Sequence, residues 1–322
     1  MDIVLCTDDN YVAPTRVLIC SICENNKGEN LCFHIISESL SEKNRLYLRD
    51  DCEKYNSVFR LYLLDEFLLN NMPVGKAGQP THVTLAAYNR LFVSSILPEN
   101  IDKVLYMDCD VIVRHSLASL WRTDISNVAV ACVTDNDEGD VKKFNRLRYP
   151  QCLGYFNSGV LLINLDYWRK NDIQSQFLSF IMDYPERLLL HDQDVLNYVL
   201  REKKIGLPLT YNVQDGFLLS LINCVYYDRE EELDEALRNP VIIHFSSSNK
   251  PWKKTCTNPW KDEWIKYRII SGLRKEDFPE WNDRLPIKII IRKVFEKMGI
   301  VHGGLKFRDD ITRLSSEQST RS

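Results

Sequence analysis

The chain carries three aspartate pairs at i, i+2 spacing: Asp108/Asp110, Asp135/Asp137 and Asp192/Asp194. On an extended segment such side chains project to one side, so both carboxylates can hold one hard divalent cation that also takes oxygens from a diphosphate. Spacing alone does not choose among three copies, but their surroundings do. Asp108 and Asp110 interrupt a strongly apolar run over 103–113, where two charges are costly to bury without a counter-ion, so metal ligation is the better reading there. Asp135 and Asp137 share a turn-prone segment with Glu138, Gly139 and Asp140 and read as a solvated loop. Asp192 and Asp194 open an amphipathic stretch with Val195, Leu196, Val199 and Leu200 on one face, closed by Arg201, Lys203, Lys204 and Gly206. From pattern alone they are charges favourably placed at a helix start.

His244 ends a short apolar run at 241–243, and a lone histidine there reads first as a hydrogen-bonded structural residue. Lys250-Pro251-Trp252 follows closely and offers a cation for phosphate beside a rigid aromatic turn.

The elements around these residues suggest how they meet. Apolar runs at 3–6, 31–36 and 58–64 alternate with helix-like stretches around 17–23 and 39–55, the second opened by a Ser39/Glu42 capping pair. This βαβαβ order predicts a parallel sheet covered by helices, with the ligand crevice beyond the carboxyl ends of the strands. Thr7-Asp8-Asp9-Asn10 and Asp108-Cys109-Asp110 both follow strands, while Phe156-Asn157-Ser158-Gly159 precedes a strand at 160–165. One sheet edge is expected to gather these segments with His244.

Bulk properties narrow the class. A chain of 322 residues, 44% apolar, can bury a sizeable core, and a net charge of −4 gives no polyelectrolyte surface for nucleic acid. The ten cysteines are scattered, several (Cys6, Cys132, Cys224) inside apolar runs, and Cys20-x-x-Cys23 has no second pair to make a zinc or redox site. Free thiols and an N-terminus that turns polar at once predict a cytoplasmic protein. Residues 1–270 read as one catalytic domain. Residues 271–322 read as a small helical extension, with a basic amphipathic segment at 287–300 (Lys288, Arg292, Lys293, Lys297) suited to an anionic membrane surface, then a frayed tail.

Together these residues resemble the family 8 glycosyltransferases, especially bacterial lipopolysaccharide galactosyl- and glucosyltransferases, from Met1 to about Trp264. The resemblance is carried by Asp8 to Tyr11, Ala87-Tyr88-Asn89-Arg90, the strand ending in Asp108-Cys109-Asp110, Phe156 to Asn164, Asp192 to Asn197, and His244-Phe245 with Lys250-Pro251-Trp252. It implies a GT-A fold, a Rossmann-like nucleotide-binding mixed sheet flanked by helices. It also implies retention of anomeric configuration, a UDP-glucose or UDP-galactose donor, and a glycan or lipid-linked glycan acceptor in envelope biosynthesis, while the basic segment at 287–300 is what would bring a cytoplasmic enzyme to the inner face of the plasma membrane. By position, Asp8, Asn10, Tyr11 and Cys109 would line the nucleotide, and Asp108, Asp110 and His244 would ligate the metal. Imidazole among the ligands suits Mn2+ better than Mg2+, which is the second choice. Lys250 would face the diphosphate, and Arg90, Asn157, Asp192 and Gln193 the donor hexose, with His82 near the acceptor. Gln193 occupies the family's proposed nucleophile position but is a poor nucleophile, so front-face attack is favoured and Asp194, the nearest carboxylate, is its rival. Ser247 stands where related enzymes usually place glycine, which bears on how closely that loop approaches phosphate. The competing readings are a metal-dependent phosphohydrolase and a non-catalytic nucleotide-sugar-binding protein.

Overall fold

A computed structural model describes residues 1–64, 85–137, 139–218, 229–278 and 281. His82 and the basic segment at 287–300 lie outside the described residues. The βαβαβ opening is present: β1 (Asp2–Cys6), helix α1 (Val12–Asn25), β2 (Cys32–Ser37), helix α2 (Glu42–Lys54) and β3 (Val58–Leu63). Helix α2 starts at Glu42, and Ser41 at its N-cap makes no side-chain cap. The anticipated Ser39/Glu42 box is replaced by Asp9, whose carboxylate accepts from Ser41 N at 2.9 Å and Asn44 Nδ2 at 2.7 Å. A carboxylate from the loop between β1 and α1 thus serves this helix start, and these donors hold Asp9 below the usual carboxylate pKa.

Further strands are β4 (Lys103–Met107), β5 (Val111–Val113), β6 (Val130–Thr134), β7 (Phe156–Asn164), β8 (Lys204–Gly206), β9 (Val213–Gln214) and β10 (Ile242–His244). Seven form one sheet in the order β3-β2-β1-β4-β7-β6-β8, and β5-β10-β9 form a second. The first sheet is not wholly parallel, as strand order alone predicted: β7 runs antiparallel to both β4 and β6. This reversal positions the site. Because Met107 pairs with Val160, the beginning of β7 lies at the carboxyl end of β4, and Asp108 N donates to Gly159 O at 2.8 Å. The second sheet begins immediately after the aspartate pair, where β10 runs antiparallel to β5 with His244 opposite Val111.

Alternating residues of the central strands feed two cores. Ile3 and Leu5 pack with Leu18, Ile19 and Leu48, whereas Val4 and Tyr106 pack with Phe156, Trp168, Phe177 and Leu196. A third cluster of Phe245, Trp252, Trp264, Tyr267 and Phe278 seats the chain that leaves β10. Burial of each such side chain contributes about 1.5–3 kcal/mol, so the third cluster is ample to fix that loop. Among the described residues, no helix is long and apolar enough to cross a membrane.

The helix His191–Leu200 opens as its charges suggested, although its two aspartates diverge. Asp194 is fully buried and accepts from Leu189 N at 2.8 Å and Leu190 N at 2.6 Å, just ahead of the helix. Tyr155 Oη donates at 2.8 Å, and Arg146 forks onto both oxygens at 2.7 and 3.0 Å. Asp192 turns the other way, towards Arg90. Arg146→Ala would leave the Asp194 carboxylate buried without its cation and should cost about 3 kcal/mol, read as a lower urea midpoint with unchanged m-value.

Candidate active site

The carboxyl ends of β1 and β4, the start of β7 and the end of β10 converge on Asp108, Asp110 and His244, whose candidate ligand atoms lie within 4.8 Å of one another. Each aspartate has its own cation. Asp108 Oδ1 lies 2.8 Å from Arg90 Nη2 and accepts from Tyr106 Oη at 2.7 Å. Asp110 Oδ2 accepts from Lys250 Nζ at 2.6 Å. Burial alone would raise the Asp110 carboxyl, but the Lys250 ammonium outweighs it and holds it well below the carboxylate range. Burial would also depress Lys250, and Asp110 raises it instead, so the pair is ionised.

Asp110 Oδ1 is different: it is buried and has no hydrogen-bond donor among the described residues, with His244 Nε2 3.3 Å away. The hydrogen-bond network assigns the histidine tautomer. Asn212 Nδ2 donates to Asn157 Oδ1 at 2.9 Å, so Asn212 Oδ1 is the acceptor facing His244 Nδ1 at 3.0 Å. The proton of a neutral imidazole is therefore on Nδ1, and the Nε2 lone pair faces an orphaned carboxylate oxygen. Two acceptors turned on each other without a proton between them fit a cation, and two carboxylates plus imidazole form a suitable divalent set.

Arg90 is the second organiser. It is buried, stacks on Tyr106 with its guanidinium carbon 4.6 Å from the ring centroid, and donates to Ser158 O at 2.8 Å. Its Nε pairs with Asp192 Oδ2 at 3.0 Å. Burial pushes the Asp192 carboxyl up, Arg90 pulls it down and Asp108 adds to the rise, leaving it at about 6. Beside it, Gln193 Oε1 accepts from Ser158 N at 3.0 Å and Gln193 Nε2 donates to Asp135 Oδ2 at 3.1 Å.

On the nucleotide side, Asp8 Oδ1 accepts from Asn10 N and Tyr11 N, both at 2.9 Å, which shapes the loop entering α1. Tyr11 is exposed and meets Trp252 edge-on, with ring centroids 5.9 Å apart. The Cys109 thiol turns inward and donates to Cys6 O at 3.1 Å, so only its backbone is available to the cleft. Ser247 donates its backbone N–H to Asp215 Oδ2 at 2.7 Å and is not among the residues with positive φ, so this loop path has no need of the usual glycine.

The match to known proteins covers this whole arrangement. The glycosyl transferase family 8 model spans residues 2–256. The chain belongs to glycosyl transferase family 8. It is 31% identical over 292 residues to a lipopolysaccharide 1,2-glucosyltransferase of Escherichia coli, covering 89% of this chain and 80% of that one. It is 29% identical over 271 residues to general stress protein A of Bacillus subtilis, covering 83% and 92%. Among solved structures it resembles the galactosyltransferase LgtC in complex with donor and acceptor sugar analogs, at TM-score 0.74 and 25% identity over 84% of this chain and 96% of that one. The family 8 chain is thus a glycosyltransferase with the GT-A fold.

Three residues of this candidate site escaped the sequence reading. Asp135, expected in a solvated loop, is buried and pairs with Lys143 Nζ at 2.8 Å while bonding Asn157 and Gln193. It follows β6 at the same sheet edge, and that placement was the available signal. Tyr106 and Asn212 were missed because neutral side chains give no charge pattern. Gly159 sets a steric limit: a Cβ there would lie 2.3 Å from His244 Cε1 and 3.0 Å from Asp108 Oδ2. Gly159→Ala should displace His244 and weaken Mn2+ binding by roughly tenfold or more in a calorimetric titration; undiminished affinity would contradict this placement of the imidazole.

Proposed function

We propose that the protein is a retaining, metal-dependent hexosyltransferase that moves glucose or galactose from a UDP-sugar to a sugar acceptor in cell-envelope glycan synthesis, lipopolysaccharide-like or capsular. The observation that carries the reading is the facing of His244 Nε2 and Asp110 Oδ1 beside Asp108, two acceptors without a donor among the described residues, at the edge where β1 and β4 end. The relatives' names support both hexoses, one being a glucosyltransferase and the other a galactosyltransferase.

Asp108, Asp110 and His244 would hold Mn2+, with Mg2+ as the second choice, which supplies Lewis-acid stabilisation of the charge on the departing UDP. Lys250, 2.6 Å from Asp110, adds a positive charge for the diphosphate. Arg90, Asn157, Asp192 and Gln193 form the wall for the donor hexose, while Asp8, Asn10 and Tyr11 serve the uridine.

Retention needs a nucleophile behind the sugar or attack from the leaving-group side. Asp194 is fully buried with its oxygens occupied by Arg146, Tyr155 and two backbone amides, which makes it a positioning residue. The Gln193 amide oxygen is engaged by Ser158. These engagements favour front-face attack over Asp194 as nucleophile: the acceptor oxygen bonds to the anomeric carbon as that carbon's bond to UDP breaks, and the hydroxyl proton passes to a phosphate oxygen of the departing UDP.

UDP release from UDP-glucose and UDP-galactose, measured with and without Mn2+ and an acceptor sugar, tests the whole reading. Release should require the metal and rise with acceptor; acceptor-independent phosphate release would favour a hydrolase, and binding without turnover a non-catalytic protein. Because Asp192 titrates near pH 6 and receives sugar hydroxyls as the anion, the donor KM should rise as pH falls through about 6. Asp192→Asn should raise KM at neutral pH and flatten that profile.

A further inference from the structure

At the opposite end of the central sheet, the first residues of β1 and β2 form a second cluster that the transferase chemistry does not use. Asp2 pairs directly with Cys32 in the parallel register, and His34 lies two residues further along β2 on the same face. That face continues as the apolar residues Val4 and Ile36, so the polar trio interrupts a packed surface at its entrance. A carboxylate oxygen of Asp2, the Cys32 sulfur and a ring nitrogen of His34 all lie within 4.8 Å of one another.

His34 is buried and oriented from both sides: Nδ1 lies 3.0 Å from Tyr62 Oη and Nε2 2.9 Å from Asp2 Oδ1. A metal-bound histidine commonly has this arrangement, with one nitrogen fixed by an outer partner and the other directed at the ligands. The cluster opens on a cavity of about 440 Å³, whose wall also includes Arg60, Tyr62 and Ile101.

We propose that Asp2, Cys32 and His34 form a second metal site, selective for a thiophilic divalent cation of the zinc class, with its fourth coordination position open to the cavity. One thiolate, one imidazole and one carboxylate suit zinc and cobalt, whereas the oxygen-rich active site suits manganese. The sites lie at opposite ends of β1, about 15 Å apart by strand rise. Arg60 in the cavity wall favours water or a small anion as the fourth ligand over another cation.

Cobalt(II) titration of the reduced, chelator-treated full chain tests the assignment, since cobalt bound to a thiolate gives a near-ultraviolet charge-transfer band. The expected result is one equivalent producing that band, which persists in an Asp108→Asn/Asp110→Asn chain, disappears in Cys32→Ser and is displaced by zinc. Tyr62→Phe should keep the band and weaken cobalt affinity by roughly tenfold, since it removes only the partner of Nδ1. No band in the wild-type chain, or a band that survives Cys32→Ser, would overturn the proposal and leave Asp2, His34 and Tyr62 as a hydrogen-bonded structural triad. Circular dichroism of Cys32→Ser confirms that loss of the band is not loss of the fold.

Discussion

Two carboxylates brought to one buried sheet edge repel each other and lose hydration, and the architecture around Asp108 and Asp110 answers that cost with a separate cation for each. Arg90 serves Asp108 and Lys250 serves Asp110. The cations arrive from different directions, Arg90 from the turn-rich segment before β4 and Lys250 from the loop after β10. Holding them there requires the rest of the fold: Tyr106 beneath Arg90, the reversed β7 that presents Ser158, and the aromatic cluster under Lys250. The edge charges are neutralised in pairs while one oxygen of Asp110 has no donor among the described residues.

The neutral residues transmit this arrangement further. His244 touches Asn212, Asn212 touches Asn157, and Asn157 reaches Asp135 and Gln193. His244 is therefore joined to Gln193 by one run of amides. Amides suit the task because each is both donor and acceptor, so the run fixes orientation without adding charge.

Much of this was legible in the residues. Asp108 and Asp110 stood out because charge inside an apolar strand demands an explanation, and the alternation of apolar runs and helices put them at one sheet edge with the residues that follow β1. Asp135 was illegible for the opposite reason: Asp137, Glu138 and Asp140 surround it in sequence, and only the fold separates the inward carboxylate from its neighbours. The direction of β7 was equally hidden, since a strand's polarity in a sheet depends on its connection rather than its composition. At Asp194 the helix-start pattern gave its local role, but its fork from Arg146 joins residues 48 positions apart and leaves no local signature.

The aromatic cluster beneath Lys250 also bears on where the catalytic unit ends. The family 8 model match ends at residue 256, yet Trp264, Tyr267 and Phe278 lie beyond it and are buried against Trp252 and Phe245. Trp264 is wholly enclosed, with its ring centroid 5.9 Å from that of Trp252. The end of the family model match is therefore not a boundary of folding. The segment after it is a keel for the lysine loop, its bulky apolar side chains filling the seat against Trp252 and Phe245.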